Sequence, residues 1–224
     1  MRPLDTVYMW DLVPVILGYV PLTLGMALVA MAAALVLAAI LAIVRVLRIP
    51  VADQGVAVFI SFFRGTPLLV QLFLFYYGLP QLVPALTSID GITAAVIGLT
   101  LHFSAYMAES IRGAILGVDR SQWEAAQSIG MTQGQVLRRI VLPQASRVAA
   151  PTLMNYFIDL IKSTSLAFTL GVTEMMGAAQ KEAAGSFLYL EAFLVVAVIY
   201  WILVEVLSVG QRWMERHLGR AVAR

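Results

Sequence analysis

The stretch Arg120–Ala145, RSQWEAAQSIGMTQGQVLRRIVLPQA, is the most polar part of a very apolar chain, and it lies between two segments of membrane-spanning length. It reads as two helices around a glycine. Ser121 followed by Glu124 has the S-x-x-E form of a capping box, in which each side chain satisfies a free backbone N–H at a helix start. Gly130 follows the run QWEAAQSI and predicts a left-handed stop. Thr132 and Gln135 form a second box, T-x-x-Q. Pro143, with no N–H to donate, is expected to end the second helix. Trp123, Ala126 and Ile129 are expected on one side of the first helix. Val136 and Ile140 are expected on one side of the second, with Arg138 and Arg139 beside them. Such a pair can lie in lipid headgroups with its arginines on anionic lipid, or it can dock on a partner protein. The small pair Ala125–Ala126 favours close helix contact.

The rest of the chain sets the context. Of 224 residues, 61% are hydrophobic and 12% charged. A soluble domain carries roughly 25% charged residues, so this composition implies an all-α integral membrane protein. Apolar runs such as Val15–Val44 are far longer than the roughly ten-residue alternating strands of an outer-membrane barrel. The chain has no cysteine, which excludes disulfides and thiolate metal sites, and no metal site is expected. The N-terminal MRPLDTVYMWDL is polar, and the apolar run after it is too long for a signal peptide, so no cleavable leader is expected.

A span needs about 20 apolar residues. Five transmembrane helices are expected, near residues 16–44, 66–83, 92–116, 148–170 and 188–210. Residues 1–15 form an N-terminal segment, 16–212 the transmembrane domain with its connecting loop at 120–143, and 213–224 a C-terminal tail. VADQGVAVFISFF reads as an interfacial lead-in to the second span, broken from it by RGTP. The cations fit this count. Arg45, Arg48 and Arg64 follow span one; Arg112, Arg120, Arg138, Arg139 and Arg147 follow span three; Arg212, Arg216, Arg220 and Arg224 follow span five. Twelve of the fifteen cations thus fall on one side, against Arg2 and Lys181 on the other, with Lys162 inside span four. The N-terminus is therefore expected outside and the C-terminus and the polar loop in the cytoplasm. The net charge of +2 says little by itself, and no nucleic-acid partner is expected.

Ionisable groups inside spans mark functional sites by default. His102, Tyr106 and Glu109 share one face of span three, and Asn155, Asp159 and Lys162 one face of span four. An amino-acid zwitterion needs an acid for its ammonium, which Glu109 or Asp159 could supply, and a cation for its carboxylate, which Lys162 could supply. Asp159 and Lys162 can equally neutralise each other, and His102 can be a hydrogen-bonded packing residue. For Arg64 the alternatives are snorkelling to headgroups and gating. Gly113 and Gly117 form a GxxxG that hints at close helix contact, while Trp10, Trp201 and Trp213 read as interface anchors.

The span Glu124–Pro143, EAAQSIGMTQGQVLRRIVLP, resembles the EAA loop of ABC importer permeases: E-A-A, a glycine, then I-x-L-P at Ile140–Pro143. FFRGTPLLVQLF, AYMAESIRGAI and LPQASRVAAPTLMNYFIDLIKSTSLA are similar to the polar amino-acid, histidine/arginine/glutamine-type permeases. The resemblance covers nearly the whole chain and departs from many relatives only at Ser121, where they have Gly. It implies the type I importer permease fold and a bacterial inner-membrane, multi-pass location. It implies that the loop, through Trp123, Glu124, Ala125, Ala126, Ile129, Gly130, Arg138 and Arg139, is a coupling helix seated on a separate ATPase. Glu124 could instead serve mainly as the cap partner, and Gly130 as a backbone requirement. The implied partners are two ATPases, a second permease subunit, identical or paralogous, and a periplasmic or tethered binding protein, besides membrane lipid.

No G-x-x-x-x-G-K-[ST] phosphate loop is present; the nearest string, LIKST at Leu160–Thr164, lacks both glycines. The chain itself is therefore not expected to be an enzyme or to hold a cofactor, and ATP and Mg²⁺ belong on the partner ATPase. The expected function is an importer permease for polar amino acids or another small polar solute such as an opine. The main alternative is an ion-gradient-driven secondary transporter, which would call for internal repeats. A membrane enzyme would need a clustered catalytic set, and a scaffold would have no use for in-span charges.

Overall fold

Two residues, Gly18 and Tyr19, break what the apolar pattern presented as one long first span. In the computed structural model, which describes residues 4–222, helix α1 covers Thr6–Leu17 and α2 covers Val20–Leu47. Asp5 caps α1 by accepting the Tyr8 N–H at 3.0 Å. The N-terminal segment expected at residues 1–15 is helical from Thr6; Arg2 and Arg224 lie outside the described residues.

The remaining elements are α3 (Ala52–Gly65), α4 (Leu68–Phe73), a π-turn at Leu74–Gly78, α5 (Leu79–Leu82), α6 (Gly91–Leu116), α7 (Arg120–Ser128), α8 (Gln133–Val136), a second π-turn at Leu137–Val141, α9 (Leu142–Ser163), a 3₁₀ run at Thr164–Leu170, α10 (Met175–Ser186) and α11 (Tyr189–Val222). No strand occurs among the described residues. Three helical stretches are long and apolar enough to cross a membrane: Val20–Leu47, Gly91–Leu116 and Tyr189–His217. A fourth arises if Ala52–Gly65 and Leu68–Leu82 count as one broken span. The extended residues Thr66 and Pro67 make that break, where RGTP placed it. At the expected fourth span stands α9, 22 residues and thus about 33 Å long. Arg147, Asn155, Asp159 and Lys162 make it too polar to qualify by composition. α11 continues through the expected tail to Val222.

The chain divides into two units. The first comprises Met1–Ala32, Pro67–Thr100 and Phe157–Gly210. In it α1 packs on α10 and α11 through Leu12, Ile16, Met175, Ala179, Ala183, Ala192, Val195 and Val196. The alanines let these backbones approach closely, as small residues do in membrane interiors. A second cluster joins Met26, Leu72, Ala94, Ala95 and Leu170. The second unit comprises Ala33–Thr66, Leu101–Tyr156 and Gln211–Arg224. Its core gathers Ile115, Ala126, Val136, Leu137, Val141 and Ala145, so the end of α6, the connector and the start of α9 share one interior.

Candidate functional site

The connector is built as helix, glycine turn, helix, with three departures from expectation. The first concerns its start. Asp119, not Ser121, caps α7, accepting the Ser121 N–H at 2.8 Å. Glu124 is then released from capping and pairs with Arg120 at 3.1 Å on an exposed surface, where an ion pair adds little stability. Asp119, two residues upstream, starts the helix earlier and accepts the Ser121 N–H with a fully charged carboxylate, which leaves Ser121 inside the first turn.

The turn follows expectation. Gly130 takes φ +84°. Its N–H reaches the Gln127 carbonyl at 2.9 Å and that of Met131 reaches Ala126 at 3.2 Å, the paired bonds of a Schellman stop. The second capping box forms with both bonds, Gln135 N–H to Thr132 and Thr132 N–H to the Gln135 side chain.

The second departure is Pro143, which does not end the helix. The chain runs from Gln133 to Ser163 without leaving helical geometry. The π-turn at Leu137–Val141 explains this, because its wider ring removes the need for a proline N–H and relieves the ring's clash with the carbonyl four residues back. The third departure concerns the faces. Ala126 is buried and Trp123 half-buried against the connector's own core, whereas Ile129 is 78% exposed. α7 stops at Ser128, so Ile129 falls out of helical phase with the other two. Ala125, Glu124, Arg138 and Arg139 are exposed, while Val136 and Ile140 turn inward.

The second unit also holds four of the six in-span polar residues. His102 stacks on Tyr106 at 5.0 Å, and the Tyr106 hydroxyl donates to the Arg64 carbonyl at 3.3 Å. Glu109 is held by Arg112 through two bonds of 3.1 and 2.8 Å. Arg112 thus folds back onto the acid one turn earlier on its own helix. Asn155 accepts from Gln211 at 3.0 Å. Next to them, a groove of about 370 Å³ is lined by Ser110, Gly113, Gly117, Thr152, Gln144 and Asp119. Gly113 of the GxxxG therefore faces open space, with nothing within 4 Å of a Cβ placed on it, whereas a Cβ on Gly117 would meet the Gly113 carbonyl at 3.3 Å.

Asp159 and Lys162 belong to the first unit and pair at 2.7 Å, each about half exposed. Lys162, Ser165 and Tyr200 line a cavity of about 330 Å³. The sequence reading missed one acid here. Glu174 is 0% exposed and caps α10. Its carboxylate accepts from the Gly177 N–H at 2.9 Å, the Tyr200 hydroxyl at 2.9 Å and Thr23 at 3.4 Å. It falls between helices, so a search for charges within apolar runs passed it by.

This architecture, an all-helical membrane bundle with a self-supported polar connector, is that of a transporter membrane subunit. The chain belongs to the family of binding-protein-dependent transport system inner membrane components, whose model matches residues 34–220. It is 60% identical to the "probable amino-acid ABC transporter permease protein PatM" of Vibrio harveyi, over 98% of this chain and 99% of that one. It is 47% identical to the "probable amino-acid permease protein YxeN" of Bacillus subtilis, over 98% of each. A solved "amino acid ABC transporter with histidines" superposes with a TM-score of 0.88 at 30% identity, covering 96% of this chain and all of that one. The fold is thus the type I ABC importer permease fold. The chain is an ABC permease subunit and not itself an enzyme, which removes the ion-gradient reading. Membership places it in the inner membrane with a binding protein and an ATPase as partner chains.

Proposed function

We propose that the chain forms half of a translocation path for a polar amino acid and is driven by a separate ATPase through residues 120–143. One observation carries this reading. The connector has its own buried core, yet it turns Glu124, Ala125, Ile129, Arg138 and Arg139 outward and continues as one helical run into α9. A push on the glycine turn would therefore reach α9 with little loss. Two ATPases, binding ATP and Mg²⁺, would act on two permease subunits, identical or paralogous. A periplasmic or tethered binding protein would deliver solute, with the N-terminus outside and the C-terminus in the cytoplasm.

The amino-acid class rests on the relatives' names and on charge. Glu109–Arg112 and Asp159–Lys162 are both ion pairs, but the second is about half exposed where the first is mostly covered, so it is the better candidate for a zwitterion. His102, Tyr106 and Asn155 would line the path. The test is co-reconstitution in liposomes with the candidate ATPase and binding protein, offering a panel of amino acids and opines. Expected is ATP hydrolysis that rises with one bound amino acid and collapses in Gly130→Pro despite normal insertion. Uptake that needs no ATPase and follows an imposed ion gradient would overturn the reading.

A further inference from the structure

Lys162, paired with Asp159 at 2.7 Å, is also a wall of the cavity of about 330 Å³ in the first unit. Small-ligand pockets run from about 300 to 1,000 Å³, so there is room for one side chain of moderate length. The other walls are apolar or neutral: Met176 of α10, Phe193, Val196, Ala197 and Tyr200 of α11, and Ser165 of the 3₁₀ run. Lys162 is the one charged residue among them. The Tyr200 hydroxyl donates to Glu174, but that acid is 0% exposed and already accepts from the Gly177 N–H and the Thr23 hydroxyl. It is closed to a ligand in the cavity.

Charge balance then selects the solute. An amino acid that inserts into the pair sets its carboxylate on Lys162 and its ammonium on Asp159, and the four charges sum to zero. A third charge, on the side chain, would enter the cavity without a partner, and an unpaired charge among apolar walls is costly. A neutral side chain brings no such cost. Ser165 gives its proton to the Lys162 carbonyl at 2.7 Å and Tyr200 gives its own to Glu174 at 2.9 Å. Each hydroxyl oxygen therefore still has a lone pair to accept from an amide. We propose that this cavity receives the solute's side chain and restricts the solute to amino acids with a neutral one, an amide or a thioether, in the space that the small Ala197 leaves open. The inference rests on the zwitterion site of the proposed function and adds its selectivity.

Binding of labelled L-glutamine to the purified full-length permease in lipid nanodiscs, without binding protein, tests it. Unlabelled L-methionine, L-glutamate and L-arginine serve as competitors. Glutamate matches glutamine in size and differs in charge. Expected is binding of glutamine and its displacement by methionine, with glutamate and arginine weaker by about tenfold or more. Ala197→Leu, at an exposed wall position, should weaken glutamine binding about tenfold at an unchanged melting temperature. Val198→Leu, on the same helix but outside the cavity walls, should bind as wild type does. Glutamate or arginine binding as tightly as glutamine, full glutamine binding in Ala197→Leu, or no glutamine binding to the wild type would each overturn the assignment. The first and the last are read on the wild type and need no variant to fold. ATP-driven uptake by the assembled transporter alongside any of these results would leave the transport reading in place and remove this site alone.

Discussion

The Met131 N–H closes on the Ala126 carbonyl at 3.2 Å, tying the second connector helix to the buried residue of the first. This bond exists only because Gly130 between them sits at φ +84°. A side chain there costs about 1 kcal/mol or more. Gly130→Ala should therefore insert normally and keep its helix content but lose part of its coupling to ATP hydrolysis. Gly130→Asn, better tolerated in left-handed geometry, should keep more. Equal coupling in all three proteins would show that the turn is not under this constraint.

Ala126 and Ile129 separate the connector's support from its contact surface. Ala126→Leu adds bulk to a filled interior and should lower thermal stability by about 1–3 kcal/mol. Ile129→Ala removes a side chain that is 78% exposed and should leave stability unchanged. If Ile129 meets the ATPase, its loss should weaken association of the two chains. The pair of melting curves and a pull-down of the ATPase decide this. The reverse pattern would return the docking face to the Trp123–Ala126 side.

Much of this was legible in the sequence, for physical reasons. Gly130 and the Thr132–Gln135 box are local devices whose geometry follows from adjacent residues, and both form. The spans at 92–116 and 188–210 announce themselves by unbroken apolarity. What failed was competition among local signals. Ser121 made a good cap until Asp119 two residues earlier proved a better one, and Pro143 was a helix end until a π-turn absorbed it. The Arg112–Glu109 bridge and the Glu174 network could not be read. Rotamer choice sets the first, and contacts spanning up to 151 residues of chain set the second.

Glu174 joins α10 to Thr23 of α2 and Tyr200 of α11. Glu174→Ala would leave the Gly177 amide and the Tyr200 hydroxyl buried and unpaired, at about 1–3 kcal/mol for each group. Tyr200→Phe removes one partner only and should cost about 1 kcal/mol. Thermal unfolding in detergent should rank wild type above Tyr200→Phe above Glu174→Ala. A Glu174→Ala protein as stable as wild type would deny the carboxylate this structural role.

Val51 lies between α2 and α3 at φ +66° with its side chain 85% exposed. A β-branched residue there is strained by about 1–2 kcal/mol, with no burial to compensate. Val51→Gly removes the strain but adds up to about 1 kcal/mol of unfolded-chain entropy. The net change should be a small gain in melting temperature. A fall would mean that Val51 does not hold this conformation in the membrane.

The Asp119 cap makes α7 sensitive to acid. The Ser121 N–H bonds the ionised carboxylate and holds it below its ordinary value of 3.8. A depressed carboxylate contributes fully above that ordinary value, and the contribution fades as pH falls through the lower folded value. Hydrogen exchange of the α7 amides, corrected for intrinsic rates, should show protection that is flat above about pH 5 and declines below about pH 4. Asp119→Asn keeps an acceptor without the charge and should be less protected at neutral pH and insensitive over the same range. Asp90 is also held low, by the Thr93 N–H and hydroxyl at the start of α6. Asp90→Asn should flatten exchange at α6 and leave the α7 response in place. If the α7 decline persists in Asp119→Asn, it arises from another group and not from this cap.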